Sequence, residues 1–342
     1  MGLHIAFVAN NNTNSLLTTY SGNGKNWGGS TPVGSESSKR SPAMAFASSG
    51  PQGFTLGFVA NDASNQLLVS NSADGVTWKP NTSVQNQSSK AAPALAVFEN
   101  KLWIAFVAND ASNQLLVSNS ADGVTWKPST KVQSQFSKAA PALAVFENKL
   151  WIAFVANDAS NQLLVSSSAD GVTWKPSTPV QNQSSKATPA LAVFENKLWI
   201  AFVANNASNQ LLVSHSADGV TWSGSKQVTA QSSKATPALA VFENKLWIAF
   251  VANDASNQLL VSQSADGVTW KPSTRVQSQF SKAAPALVVF ESKLWIAFVA
   301  NDASNHLLVA HSAHGKNWSP SIEVKNQSSK AAPAFLGLAG AL

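Results

Sequence analysis

The twenty residues ENKLWIAFVANDASNQLLVS, Glu99–Ser118, return almost unchanged from Glu147, Glu195, Glu243 and Glu291. A unit this short cannot bury its own apolar face, so such a chain must fold as an array in which each copy covers the next. The tetrad Phe-Val-Ala-Asn counts the copies. It ends at Asn10, Asn61, Asn109, Asn157, Asn205, Asn253 and Asn301. A Trp that follows a turn gives a second ruler, at Trp27, Trp78, Trp126, Trp174, Trp222, Trp270 and Trp318. Its first interval is 51 residues and the later ones are 48. Seven units therefore occupy the 342 residues, and the two domains that this length would ordinarily suggest give way to one array.

Each unit reads as four short strands. In the third unit, 93–99 is apolar and ends in a Glu-Asn-Lys turn, and 102–108 is a continuous apolar run of strand length. Residues 114–120 follow a polar loop. Residues 124–132 follow Asp122-Gly123, a pair that tolerates the positive φ of a hairpin, and carry Pro128, which suits an edge. Nothing shows a helical period. Four strands per unit in tandem predict an all-β, seven-bladed β-propeller with blades of about 48 residues. The ends predict how the ring closes. Residues 3–9 match a second strand and residues 330–342 match a first strand. The expectation is a single domain, 1–342, whose first blade is shared between 1–40 and 331–342, with the C-terminal strand completing it. An open solenoid would need polar capping repeats, and the sequence has none.

The heptad Ser-Ala-Asp-Gly-Val-Thr-Trp, at Ser72–Trp78 and again from Ser120, Ser168, Ser216 and Ser264, resembles the Asp-box of sialidase-like propellers, Ser-x-Asp-x-Gly-x-Thr-Trp. It is one residue shorter between Asp and Gly, and the first and last units depart further, as SGNGKNW and SAHGKNW. Whole units also look like those of bacterial β-propeller lectins. The resemblance implies a fold-stabilising turn in which Ser and Asp bond locally and the Trp packs. Sialidases of that family use three Arg, a Tyr–Glu pair and an Asp acid. This chain has Arg40, Arg275 and a single Tyr, Tyr20, so the family chemistry is not expected here.

Composition narrows the function further. Charged residues are 12%, about half the ~25% of an average globular chain. The net charge of +6 is carried almost wholly by Lys spread over the units. A nucleic-acid binder would cluster its basic residues and favour Arg, so no nucleic-acid partner is expected. The absence of Cys excludes disulfides and Cys-based metal sites. The polar loops lack the dense carboxylates of a calcium site, and no cofactor is expected. Of His4, His215, His306, His311 and His314, only the last three are close in sequence. Near-identical units make near-identical clefts, whereas catalysis needs an asymmetric set of acid, base and nucleophile. The expectation is a protein without catalytic activity. The opening residues lack a basic and then apolar leader, and no apolar run approaches the ~18 residues of a membrane span. A soluble protein is expected, cytoplasmic or released without a signal peptide.

Repetition suits binding, because copied weak sites gain avidity on a target with several epitopes. A chain rich in Trp, Asn, Gln and Ser suits sugars, which offer apolar C–H faces and many hydroxyls. The expected function is a multivalent carbohydrate-binding protein acting on glycans or glycoconjugates, a lectin able to agglutinate cells. A protein-interaction scaffold is the alternative. Two places could carry the sites, about 20 Å apart on opposite faces. The first is the hairpin with Glu99, Lys101 and Trp103. Its copies are Glu147, Lys149 and Trp151; Glu195, Lys197 and Trp199; Glu243, Lys245 and Trp247; and Glu291, Lys293 and Trp295. All three residue types vanish together from the first two units. Either they form one jointly used surface, or these units were copied recently and the Trp is ordinary core between blades. The second place is the loop with Asn109, Asp110 and Asn113, and its copy Asn157, Asp158 and Asn161. Phe136 and Phe280 are the aromatic residues near such loops. Asn and Asp are also ordinary loop formers.

Overall fold

The structure, a computed structural model, describes residues 2–338. Its strands form seven four-stranded antiparallel sheets arranged as the blades of a ring. In blade 3 the strands are Ala94–Phe98, Lys101–Val107, Gln114–Ser120 and Thr130–Phe136, in sheet order. First strands of neighbouring blades touch one another around the centre. In blade 1, Ala334–Leu338 pairs with Gly2–Val8, which continues to Ser15–Ser21 and Thr31–Ser37. The register is Leu3 opposite Gly337 and Ile5 opposite Phe335. The two ends of the chain thus close the ring inside one sheet, as the sequence predicts. Residue 1 and residues 339–342 of the expected shared blade lie outside the described residues.

The core lies between blades. Trp103, Ala105 and Val107 of blade 3 pack against Leu150, Ile152, Phe154 and Trp174 of blade 4. Leu102, Ile104 and Phe106 of the same strand pack the other way, against Leu67, Val69 and Val84 of blade 2. A strand buried on both sides needs apolar residues at every position, which is why Lys-Leu-Trp-Ile-Ala-Phe-Val shows no alternation. The outermost strand has one covered face, and Val132 alone of its residues is buried.

The fourth strand departs from the expected 124–132. It runs Thr130–Phe136, because the Asp turn consumes the segment before it. Asp122 Oδ1 accepts the amides of Val124 (2.8 Å) and Thr125 (2.6 Å), and Trp126 makes an isolated bridge to Ser120. The Gln-Ser-Gln-Phe segment, 133–136, therefore ends this outer strand. It bulges there, with Gln133 at φ 51° and a register shift between Gln114 and Leu116. The first hairpin of blade 3 is a two-residue turn with Glu99 at φ 49° and Asn100 at φ 56°.

Candidate binding clefts

Antiparallel strands place the first hairpin turns, Glu-Asn in blades 3–6, and the turns after the third strands, Asp turns in blades 2–6, at one end of the blades. The Asn-Asp-Ala-Ser-Asn loops and the connections between blades lie at the other end. These are the turn face and the loop face below.

On the turn face the five candidate Trp side chains are not open platforms. Trp103, Trp151, Trp199, Trp247 and Trp295 are 1–3% exposed. Each indole N–H donates to the carbonyl at the end of its own first strand, as in Trp103 to Phe98 at 3.1 Å and Trp151 to Phe146 at 3.0 Å. Each ring edge meets the turn glycine of the next blade. A Cβ on Gly171 would overlap the Trp103 ring, and one on Gly219 would overlap the Trp151 ring. Of the two readings of these Trp residues, the geometry favours inter-blade core, because sheet-on-sheet packing and the glycine turn close over the ring. Blades 1 and 2 fill the same place with His4 and Thr55. His4 lies 4.2 Å from the Phe54 ring and 4.8 Å from the Tyr20 ring, and burial pushes its pKa down to about 4. Thr55 Oγ1 donates to Asn71 Oδ1 (2.8 Å), and Asn71 Nδ2 donates to the carbonyl of Gly123 in blade 3 (2.7 Å).

The other reading, one surface used jointly by Glu, Lys and Trp, turns on where these side chains stand. Glu99, Glu147, Glu195, Glu243 and Glu291 are exposed, whereas Lys101, Lys149, Lys197, Lys245 and Lys293 are half-buried. Lys and Glu pair loosely within two hairpins, Lys149 to Glu147 at 3.9 Å and Lys245 to Glu243 at 3.8 Å. Glu243 Oε1 also reaches His314 Nδ1 of the next blade at 2.8 Å. Lys197 and Lys293 act instead on the His of the neighbouring third strand. Burial first, and then the Lys197 charge, lowers the pKa of His215; burial and the Lys293 charge do the same to His311. Glu, Lys and Trp do not converge on one point, because the Trp turns into the core while the Glu stands on the turn itself.

The Trp underlies clefts between blades, whose other walls come from residues that sequence reading passed over. The cleft between blades 6 and 7, about 380 Å³, is lined by Trp247, Gln263, Lys271, Thr274, Lys316 and Asn317, among others. That between blades 5 and 6, about 170 Å³, includes Trp199, His215, Ser223, Lys226 and Val268. Between blades 1 and 2, about 390 Å³ opens beside His4, Tyr20, Phe46, Phe54 and Asp74.

On the loop face the candidate carboxylates are turned inward on their own loops. Asp110 Oδ1 accepts from the Ser112 hydroxyl (2.6 Å) and from the amides of Ser112 (2.9 Å) and Asn113 (3.1 Å). Asp158 does the same with Ser160 and Asn161. The Ser hydroxyl holds both carboxyls below the ordinary range. The last loop Asn is taken by a Lys of the strand connection beside it, Lys90 to Asn113 at 2.9 Å and Lys138 to Asn161 at 2.9 Å. Clefts exist here too. One of about 340 Å³ between blades 4 and 5 has Lys138, Asn161, Ser185, Lys186 and Asn205 in its wall. Among the described residues, no three of His, Asp and Glu group so as to hold a metal ion.

One signal in the sequence marks the turn-face clefts. Residues 93–126 and their copies 141–174, 189–222 and 237–270 are identical apart from two positions. One carries Asp110, Asp158, Asn206 and Asp254. The other differs in every copy: Asn119, Ser167, His215 and Gln263. This second position stands directly opposite the buried Trp on the neighbouring strand, as Asn119 with Trp103 and Gln263 with Trp247. His215 stacks on Trp199 with ring centres 4.4 Å apart, and its Nδ1 lies 3.1 Å from Ser223 Oγ.

No protein-family model matches the chain, and no curated protein matches it. Solved structures do. The BP39L lectin from Burkholderia pseudomallei superposes with a TM-score of 0.78 at 16% identity, over 94% of this chain and 95% of that one. An α-L-arabinanase of Penicillium chrysogenum, complexed with arabinobiose, gives 0.55 at 10% identity over 84% and 94%. The Hadza microbial sialidase Hz136 gives 0.54 at 18% identity over 92% and 74%. The chain is thus a seven-bladed β-propeller, similar in fold to a lectin, an arabinanase and a sialidase. The resemblance carried by its Asp turns, to sialidase-like propellers and bacterial propeller lectins, holds at the level of the fold.

Proposed function

We propose that this protein is a multivalent glycan-binding protein without catalytic activity, and that its sites are the turn-face clefts between blades. One observation carries the reading: the same cleft frame, an apolar floor around a buried Trp with polar side chains at the rim, recurs between blades 5 and 6 and between blades 6 and 7. Small-ligand sites have this composition, and the cleft between blades 6 and 7, at about 380 Å³, also has their size. A hydroxylated ring would set its C–H face on the floor and its hydroxyls against Gln263, Thr274 or Asn317. Clefts that all open on one face would engage several sugars of one surface, and avidity would follow. Support for binding over catalysis comes from the carboxylates. The Asp of each Ser-Ala-Asp-Gly turn is engaged by amides of its own turn, which leaves it poorly placed as an acid or base.

The test is a broad glycan array with the folded protein, a Thr274→Ala/Lys316→Ala variant of one turn-face cleft, and Lys186→Ala on the loop face. The expected result is retention of a related set of glycans, partly weakened by the turn-face variant and unchanged by Lys186→Ala. Weakening by Lys186→Ala alone would move the sites to the loop face. No retention of any glycan would sink the reading and favour a protein-interaction scaffold.

A further inference from the structure

Four consecutive copies of the unit agree over 34 residues at all but two positions, and only one of those two takes a different side chain in each copy. The remaining fourteen residues of each unit vary more, and Lys131, Pro179, Gln227 and Arg275 also differ in every copy, but they lie on the outer strand. The position opposite the buried Trp is the one that varies in every copy of the near-identical stretch, and in blades 5 and 6 it stands in the wall of a cleft. The environments of the copies differ in kind. In blade 2 the equivalent Asn71 is fully engaged, since it accepts from Thr55 and donates to Gly123 of the next blade. In blade 5 the His215 ring is held between Trp199 and Ser223. In blade 6 Gln263 lines the 6–7 cleft, and its Oε1 is buried with no hydrogen-bond partner among the described residues. A buried acceptor left unmet is destabilising, so a ligand that met it would bind more tightly for doing so.

We infer that this third-strand position is the selectivity-determining residue of each turn-face cleft, and that Gln263 equips the cleft between blades 6 and 7 for a neutral ring hydroxyl. The inference rests on the glycan-binding reading above and adds to it that the clefts are not equivalent. A hydroxyl both donates and accepts, so it satisfies the Gln263 amide whichever way that group is turned. In this frame Asn71 spends its amide on the neighbouring blade, whereas Ser167 is too short to reach across. The array is then a set of clefts on one scaffold with different preferences.

The indole N–H of Trp247, which donates to Phe242 at 3.1 Å, is a local reporter in a ¹H–¹⁵N spectrum. Trp199 reports on the cleft between blades 5 and 6, and Trp151 on the contact between blades 4 and 5. The full chain is titrated with the sugar best retained on the array, beside Gln263→Ser and Gln263→Glu. The Ser variant carries the side chain that blade 4 already has at Ser167, so the frame tolerates it. The expected result is a Trp247 shift that saturates in the parent and needs about tenfold more sugar in Gln263→Ser, the size of one lost hydrogen bond. Gln263→Glu, which keeps an acceptor at the same reach, retains the parent titration, and Trp151 and Trp199 respond alike in all three proteins. Identical Trp247 titrations in parent and Gln263→Ser would overturn the inference while leaving glycan binding intact. If the array retains no glycan, or no indole shifts with a retained one, the glycan-binding reading falls and the inference falls with it.

Discussion

At Gly219 the contact between blades 4 and 5 depends on the absence of a side chain. The residue sits at φ 71°, and its missing Cβ leaves the room that the edge of Trp151 occupies. An alanine there meets both a left-handed backbone and a ring that cannot retreat. Gly219→Ala should therefore cost more than about 1 kcal/mol, read as a lower midpoint in urea unfolding. Gly224→Ala in the same blade has nothing within 4 Å of its added Cβ and should be close to neutral. His4 gives a pH-dependent counterpart. Its pKa is lowered from 6.5 to about 4 by burial. Above pH 6.5 the ring is neutral in both folded and unfolded chains and has no effect. As pH falls from 6.5 to 4 the unfolded chain takes up the proton first, and a penalty of up to about 3 kcal/mol develops, complete below 4. His4→Phe should flatten the fall of melting temperature over that window. An unchanged slope would show that His4 does not carry it.

At the scale of the element, the Ser-Ala-Asp-Gly turn is the joint of the blade. Asp170 Oδ1 accepts the amides of Val172 (2.8 Å) and Thr173 (2.7 Å) and the Ser168 hydroxyl (2.8 Å). The Ser168 hydroxyl also lies 2.7 Å from the Thr173 carbonyl. These bonds hold the carboxyl far below its ordinary value, the Thr173 amide contributing most. In blade 5 the Thr221 amide, first of several, brings Asp218 down to about 2. A depressed carboxyl stabilises the fold above its unfolded value of 3.8, and the contribution fades as pH falls from there through the folded value. The turns should thus keep most of this support at pH 4 and lose it in stronger acid, that of blade 5 first, near pH 2, which circular dichroism of the Trp bands would follow. Asp170→Ala should cost about 1 kcal/mol rather than the sum of its bonds, because the exposed turn lets water compete. Blades 1 and 7 have Asn23 and His314 at this position. Asn23 keeps the amide bonds, to Lys25 and Asn26 at 2.9 Å each, while His314 turns to Glu243 instead.

For the whole molecule the decisive element is the strand Ala334–Leu338. It supplies the inner strand of blade 1, and Phe335 joins the core between blades 7 and 1. Without it Gly2–Val8 loses a partner along one edge and the ring is open between first and last blades. Removing residues 333–342 should cost more than about 5 kcal/mol, comparable with the entire stability of an ordinary domain. Calorimetry should then show a broad or absent unfolding transition. A sharp transition near the parent temperature would mean that closure contributes little.

The repeat length, the number of units and the split first blade were all legible in the amino-acid sequence, because each blade's core contacts come from itself and the next copy and leave a periodic trace. The apolar run Lys-Leu-Trp-Ile-Ala-Phe-Val announced a strand covered on both faces. The edge of the outer strand was not legible, since whether Val124 or Thr130 starts it depends on where the amides of the Asp turn find an acceptor. Nor was the state of the candidate Trp residues. Trp103 has the same neighbours in sequence whether it is a platform or a core ring, and what buries it is Gly171, 68 positions away in the next blade. The variable position at Asn119, Ser167, His215 and Gln263 was visible as a pattern in the letters alone. It took the tertiary structure to turn that pattern into a place, because a cleft between blades belongs to two units at once and neither unit's sequence contains it.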